Sequence, residues 1–149
     1  MNDNPTRADQ LIAKLRNSSY RMTPQRKALL RLIAESKDHP SAAQLYAQIK
    51  PHFPSMSLAT VYKTLELLKD MGEVFEIGQR DDSHYDGNRP APHPHLICTN
   101  CQKIVDGELD AHVGQLVAEM EQVSGFQIAR HQLNFYGLCP ACQKIRNFR

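Results

Sequence analysis

Cys98-Thr99-Asn100-Cys101 and Cys139-Pro140-Ala141-Cys142 contain every cysteine of this chain. Soft thiolate donors in two short clips are the tetrahedral shell that Zn²⁺ takes in a structural site. Such a site joins residues near 100 to residues near 140, and its binding energy becomes folding energy. The clips are separated by 37 residues. That is longer than in a compact zinc ribbon, so a whole supersecondary unit is expected between them. Four unpaired core cysteines or two redox dithiols are the other uses of these residues. Cysteine that occurs only as two paired clips favours the metal.

Working outward, 149 residues with 41 % hydrophobic content suit one or two small domains with real cores. No run of about 18 apolar residues is present, so no membrane span is expected. The opening Met1-Asn2-Asp3-Asn4-Pro5 lacks the apolar stretch of a signal peptide. Metal-binding thiols must stay reduced, which points to the cytoplasm. The net charge of +2 conceals an asymmetry. Residues 1–69 hold 11 Lys and Arg against 5 Asp and Glu, whereas residues 70–149 hold 7 against 11. The basic half points to a polyanion partner and the acidic, Cys/His-bearing half to metal. No internal repeat or low-complexity tract is visible.

The basic half reads as four short helices. Leu11, Ile12 and Leu15 form one face, ending at Asn17-Ser18-Ser19. Thr23-Pro24 supplies a hydroxyl N-cap and a proline at the first helical position, followed by Leu29, Leu30 and Ile33. Ser41 and Gln44 form a capping box ahead of Leu45 and Ile49, and Pro51 stops the segment. Ser57 caps a fourth helix with Val61, Leu65 and Leu68 on one face, and Gly72 suits its end. This periodicity fits a helix-turn-helix unit and any small helical bundle alike.

After Gly72 the period changes. Residues 74–77 and 83–86 are strand candidates around Gln79-Arg80-Asp81-Asp82, the hairpin wing of a winged helix. The proline-rich stretch from Asn88 to Pro94 is the best linker. Leu96-Ile97 and Ile104-Val105 read as strands around the first clip, and Val113, Leu116, Val117 and Met120 as a helix face. Phe126 to Tyr136 alternates out of phase, which predicts a bulged strand. The result is an α+β chain whose second domain is too small to be comfortable alone. A second subunit is expected at its exposed edge.

Arg21-Met22-Thr23-Pro24-Gln25-Arg26, His39-Pro40-Ser41-Ala42, residues 57–65, His93-Pro94-His95-Leu96-Ile97-Cys98 and Tyr136-Gly137-Leu138-Cys139 together resemble the ferric uptake regulator (Fur) family. The likeness runs in uninterrupted order over roughly residues 10–145. It implies a homodimeric, metal-dependent DNA-binding repressor and not an enzyme. The implied layout is an N-terminal winged helix-turn-helix domain over residues 1–87, a hinge over 88–94, and a zinc-clipped α/β dimerisation domain over 95–149. Zinc would be structural, one per chain, on Cys98, Cys101, Cys139 and Cys142.

His39, Asp86, His93, His95 and Asp106 fall where the peroxide-responsive (PerR) subgroup has its regulatory ligands. Three imidazoles and two carboxylates suit Fe²⁺ or Mn²⁺, unlike the all-thiolate shell. On composition alone, His93-Pro94-His95 is equally a surface histidine pair. Iron-sensing relatives tend to carry Glu in place of Asp86 and Asp106, and a His-rich run before the first clip, where this chain has prolines. The pattern favours peroxide sensing, in which Fe²⁺ and H₂O₂ oxidise His39 or His93. Iron sensing comes next and zinc sensing third. His131, His84 and His112 read as strand, surface or supporting residues.

The resemblance makes Leu58 to Lys69 the recognition helix. Tyr62 would meet thymine methyls, or else be a packed aromatic, while Ser57, Thr60 and Lys63 would contact phosphates. Lys63 stands where many relatives have Arg, which replaces a bidentate fork with a point charge. Arg16 is a minor-groove candidate suited to an A/T-rich inverted-repeat operator, or else a solvated charge. A Cys-x-x-Cys thiol–disulfide enzyme would need a thioredoxin-like βαβ setting, and an Fe(II) oxygenase would need a co-substrate pocket. The sequence offers neither.

Overall fold

The computed structural model describes residues 4–78, 83–108 and 110–147, and the chain divides into two compact units, Met1–Pro90 and Ala91–Arg149. The first unit is helical, and each helix begins where a side chain can satisfy its free N–H groups. Helix α1 (Arg7–Asn17) opens with a capping box of Thr6 and Asp9. Helix α2 (Pro24–Glu35) opens on Thr23 with Pro24 in its first turn, and α3 (Ala42–Ile49) on the Ser41–Gln44 box. Helix α4 (Leu58–Asp70) opens on Ser57. The Thr6 box is a cap that apolar periodicity does not reveal.

The ends of α1 and α4 share one device. After α4, Gly72 takes φ 72°, its N–H bonds Lys69 O, and the Glu73 N–H reaches Leu68 O at 2.9 Å. After α1, Ser19 takes φ 63° and the Tyr20 N–H reaches Leu15 O at 3.1 Å. Both are Schellman turns, which need a left-handed residue. Glycine adopts that conformation freely, whereas a Cβ is strained there.

Apolar faces from all four helices meet in one core. Leu11, Leu15, Leu29, Leu30, Leu45, Leu65 and Leu68 are wholly buried. Each contributes about 1.5–3 kcal/mol of transfer free energy. Strands β1 (Phe75–Ile77) and β2 (His84–Asp86) pair antiparallel, with Ile77 opposite His84. Val74 and Tyr85 fix this hairpin to the helical core. The expected turn at Gln79, Arg80, Asp81 and Asp82 lies outside the described residues. Tyr85 is driven by burial to a pKa of about 12, so it stays a neutral phenol.

Glu73, only 6 % exposed along its side chain, ties α1 to the end of α4. Arg7 spans the gap: Nη1 donates to Glu73 Oε2 at 2.8 Å, Nη2 to Glu73 O at 2.8 Å, and Nε to Gly87 O at 2.9 Å. Lys14 pairs with the second Glu73 oxygen. Gly87 suits this crowded place, because a Cβ there would lie 2.5 Å from Ile33 Cγ2.

The second unit has a three-stranded sheet in the order β4-β3-β5. Strand β3 (His95–Cys98) pairs antiparallel with β4 (Ile104–Asp106) and parallel with β5 (Asn134–Gly137). Helix α5 (Asp110–Ser124) lies between β4 and β5 in sequence, and α6 (Pro140–Asn147) follows β5. The expected bulged strand over Phe126–Tyr136 is not formed; only its end is β5. The Phe126 N–H goes to Ser124 Oγ and the Ile128 N–H to Glu121 Oε1 at 2.7 Å, so side-chain acceptors replace a neighbouring strand. Helix α6 was not anticipated, although Pro140 at its first position is the usual start signal.

Among the described residues of this unit, Pro94, Ile97, Cys98 and Cys142 are the buried apolar ones. The register sets Leu96 beside both Val105 and Phe135, and all three are nearly half exposed. The anticipated α5 stripe forms on the helix, yet Leu116 and Met120 are also nearly half exposed. The amphipathic pattern is real, and the single chain leaves much of it uncovered.

Two stability outcomes follow from the first unit. Ser19→Gly should raise stability by about 0.5–1 kcal/mol and Gly72→Ala should lower it by about 1 kcal/mol, both read by urea denaturation. Equal midpoints for parent and variants would refute the strain argument. At Glu73, burial pushes the carboxyl pKa up, but hydrogen bonds from Lys14 and Arg7 outweigh it and hold it below the usual carboxylate range. A depressed folded pKa gives stability that is present above the unfolded value and lost as pH falls through the folded one. Glu73→Gln should therefore cost about 1–3 kcal/mol at neutral pH. The gap from the parent should narrow as pH falls below about 4.5. A pH-independent gap would show that the charge is not what matters.

Candidate metal centres and nucleic-acid face

The four cysteines converge within the second unit, with their sulfurs all within 4.8 Å of one another and none in a disulfide. Cys98 ends β3, and the chain turns back through Cys101 and Gln102, the latter at φ 64°. The Gln102 N–H bonds Cys98 O at 3.0 Å. Cys139 precedes α6 and Cys142 lies in its first turn, where helix N–H groups favour thiolates. Cys101 Sγ and Cys139 Sγ are 3.8 Å apart. Two sulfurs of a tetrahedron with about 2.3 Å zinc bonds are separated by about 3.8 Å, so the donor set fits Zn²⁺.

Hydrogen bonds polarise these sulfurs unequally. The Cys101 and Cys139 backbone N–H groups pull the Cys98 thiol down to about 6, against its burial. The Asn100 amide pulls Cys142 down, donating to Sγ at 3.3 Å. Hydrogen bonding to Cys139, burial, and bonds with Cys98 and Cys101 outweigh it and push Cys142 up to about 11. Sulfurs this close cannot all ionise without a cation between them. Asn100 is a participant that cysteine spacing does not reveal.

In the first unit, His39 meets Asp86, with His39 Nε2 3.4 Å from Asp86 Oδ2 and both residues buried. His39 takes φ 50°, an uncommon conformation for a residue with a Cβ. The Asp86 carboxylate is oriented by the Asn88 N–H, which donates to Oδ1 at 3.2 Å. Asn88 Nδ2 in turn holds Ala34 O at 2.6 Å, fixing the segment after Asp86 against α2.

In the second unit, His93, His95 and Asp106 come together. The register sets His95 directly across from Asp106, so their side chains share one face of the sheet. Asp106 Oδ1 lies 3.2 Å from His93 Nε2 and 3.6 Å from His95 Nε2. The two imidazole centroids are 4.5 Å apart. His93 Nδ1 lies 2.8 Å from Ala91 O. A carbonyl oxygen only accepts, so Nδ1 carries the hydrogen and it is the Nε2 position that faces the carboxylate. Two acceptors at that distance need a shared cation, either a proton or a metal. The 3.2–3.6 Å nitrogen–oxygen separations are close to the roughly 3 Å between neighbouring ligands about 2.1 Å from one ion. Both half-sites therefore fit a divalent cation. His112 and His131 join no donor cluster among the described residues.

Helix α4 buries Val61, Thr64, Leu65 and Leu68 and exposes Leu58, Ala59, Tyr62, Lys63 and Glu66. Tyr62 is 42 % exposed, so part of its ring is open to a partner. Ser57 and Thr60 act in the helix cap: Ser57 Oγ accepts the Thr60 N–H at 3.1 Å and lies 2.9 Å from Thr60 Oγ1. Arg16 is exposed near the end of α1.

The sequence profile of the Ferric uptake regulator family matches residues 17–136. The chain is 36 % identical over 135 residues to the peroxide-responsive repressor PerR of Staphylococcus aureus, covering 91 % of this chain and 90 % of that one. Its fold matches the Campylobacter jejuni peroxide stress regulator at TM-score 0.69 and 32 % identity, over 89 % of this chain and 98 % of that one. The Helicobacter pylori ferric uptake regulator Fur matches at TM-score 0.72 and 17 % identity over 92 % and 91 %, a likeness of fold alone. The profile match and the identity across nine-tenths of both chains make this protein a member of the ferric uptake regulator family.

Proposed function

We propose that this chain is a homodimeric, metal-dependent transcriptional repressor that senses peroxide. The observation that carries this reading is the pair of N/O half-sites, His39 with Asp86 and His93 with His95 and Asp106, in the same chain as a separate all-sulfur cluster. Cys98, Cys101, Cys139 and Cys142 would hold one structural Zn²⁺ per chain. The five N/O donors would hold one Fe²⁺ or Mn²⁺, whose bonds to both units would favour a single arrangement of them. The scheme also accords with the identity to a peroxide-responsive repressor. As a regulator of this family the chain is not an enzyme, and its response is stoichiometric.

Bound Fe²⁺ would activate H₂O₂ by lending one electron and regaining it from the ring, so the two-electron reduction of peroxide would be matched by a two-electron oxidation of one imidazole. The chain's part is to present an imidazole carbon of His39 or His93 beside it. That ring would gain one oxygen atom, the second peroxide oxygen would leave as water, and the altered ring would no longer ligate. Losing one ligand would end any arrangement the metal imposed, and DNA would be released. The exposed row Leu96, Val105 and Phe135, with the α5 stripe, supports a second copy of the chain as partner.

The DNA-reading surface in this proposal is the exposed face of α4. Tyr62 would contact thymine methyls of an A/T-rich inverted repeat, and Lys63 with the capped N-terminus at Ser57 and Thr60 would meet phosphates. Arg16 would reach the minor groove.

Peroxide sensing has a direct test. Mn²⁺ or Fe²⁺ should be removable by chelator while zinc remains, because mixed N/O donors hold them less tightly than four thiolates hold zinc. In the Fe²⁺ protein, micromolar H₂O₂ should add one oxygen to the His39 or His93 peptide and abolish operator binding, and the Mn²⁺ protein should show neither change. Histidines that stay unmodified in iron-loaded, peroxide-treated protein would move the reading to iron sensing. For the DNA face, Tyr62→Ala should reduce the preference for operator over random sequence. Lys63→Ala should weaken both and flatten the salt slope by about one unit. Equal loss on both sequences in Tyr62→Ala would remove its base-reading role.

A further inference from the structure

His39 and Asp86 lie far apart in sequence, and β2 brings them together. Its Tyr85 N–H bonds Pro40 O at 2.9 Å, and Ser41 forms a bridge with His84. The segment from His39 to Ser41 thus runs along the strand that carries Asp86. Backbone pairing accounts for Pro40 and Ser41. The next carbonyl, that of His39, is taken by a side chain: His84 Nδ1 lies 2.7 Å from His39 O. A carbonyl only accepts, so His84 must donate, and its ring is in a form with hydrogen on Nδ1.

The residue held in this way carries the backbone strain. His39 sits at φ 50° and precedes a proline, which itself disfavours helical backbone before it. Such a conformation persists where its surroundings over-determine it. Relaxing φ would rotate the Cα–Cβ bond and move Nε2 away from Asp86 Oδ2, now 3.4 Å distant.

We propose that His84 is a positioning residue for His39, holding the strained backbone carbonyl so that the His39 imidazole faces Asp86 before any metal arrives. The inference rests on the reading of His39 as a regulatory-metal ligand. His84 touches the ligand's backbone and is not itself counted among the donors. Supporting residues of this kind typically alter metal affinity 10- to 100-fold when removed.

The test is Mn²⁺ titration of the zinc-containing full-length chain, reading free Mn²⁺ by its electron paramagnetic resonance signal. His84→Phe keeps a ring and removes the donor; His84→Asn places an amide N–H near the position of Nδ1–H. His84→Phe should bind Mn²⁺ about 10- to 100-fold more weakly, with zinc content unchanged and the Mn²⁺-free protein still folded by circular dichroism. His84→Asn should restore affinity to within about threefold of the parent, a rescue that a packing role alone would not give. Parental affinity in His84→Phe, or equal loss in both variants, overturns the proposal.

His39→Ala separates the two readings. Unchanged Mn²⁺ affinity in that variant overturns the ligand assignment of His39, and this proposal with it. A weakened His39→Ala alongside a parental His84→Phe overturns the positioning role alone. Should His84→Phe fail to fold, ¹⁵N ring shifts of the parent protein decide the matter. Hydrogen on His84 Nδ1 is expected, and a bare Nδ1 with hydrogen on Nε2 overturns the proposal.

Discussion

The register of β3 is the constraint on which the second unit depends. This four-residue strand places His95 opposite Asp106 at one end and delivers Cys98 to the sulfur cluster at the other. A slip of one residue would turn every side chain to the opposite face of the sheet and dismantle both arrangements. Few apolar contacts guard against that slip, because Pro94, Ile97, Cys98 and Cys142 are the buried apolar residues described in this unit. Polar devices share the task. The Gly107 N–H bonds Pro94 O at 2.8 Å and the His95 N–H bonds Leu133 O at 3.0 Å, while the two clips close the other end. A metal in the sulfur cluster would therefore be part of the fold's stability, not an addition to a finished fold.

The first unit is built on the opposite principle. Four capped helices bury a continuous leucine-rich core, so its stability is distributed over many contacts. That surplus allows it to tolerate costly local features: the strained backbone at His39 and the buried carboxylates of Glu73 and Asp86. Each is over-determined by neighbours. Arg7 grips both Glu73 and the Gly87 carbonyl, Asn88 pins the segment after Asp86 to α2, and β2 runs beside the His39 loop. Rigid support around the His39–Asp86 pair is what a ligand pair needs if its metal is to discriminate by geometry.

The two donor sets divide the chemistry by softness. Four sulfurs with tetrahedral spacing suit a tightly held, redox-inert ion, whereas imidazole and carboxylate suit ions that exchange and, in the case of iron, react. A chain with both can keep one metal for architecture and another for response. The two half-sites lie on different units.

Sequence by itself determined the local structure of this protein. Thr23-Pro24, Ser41 with Gln44, Ser57 and Gly72 each act within one helical turn, and the structure bears out each as read. Cysteine spacing likewise made the clips legible, because a short clip is a local motif, and the blocks around His39, Ser57 and His93 made the family legible. Tertiary structure decided what depends on distant partners. The Phe126–Tyr136 segment has strand-like composition, yet Ser124 and Glu121 claim the Phe126 and Ile128 N–H groups. Asn100 on Cys142, Arg7 on Glu73 and His84 on the His39 carbonyl leave no periodic trace, because each joins residues 42 or more positions apart. Local hydrogen bonds and periodicity are written along the chain; the strain at His39 and the hydrogen bond that holds it arise only when β2 folds against the loop before α3.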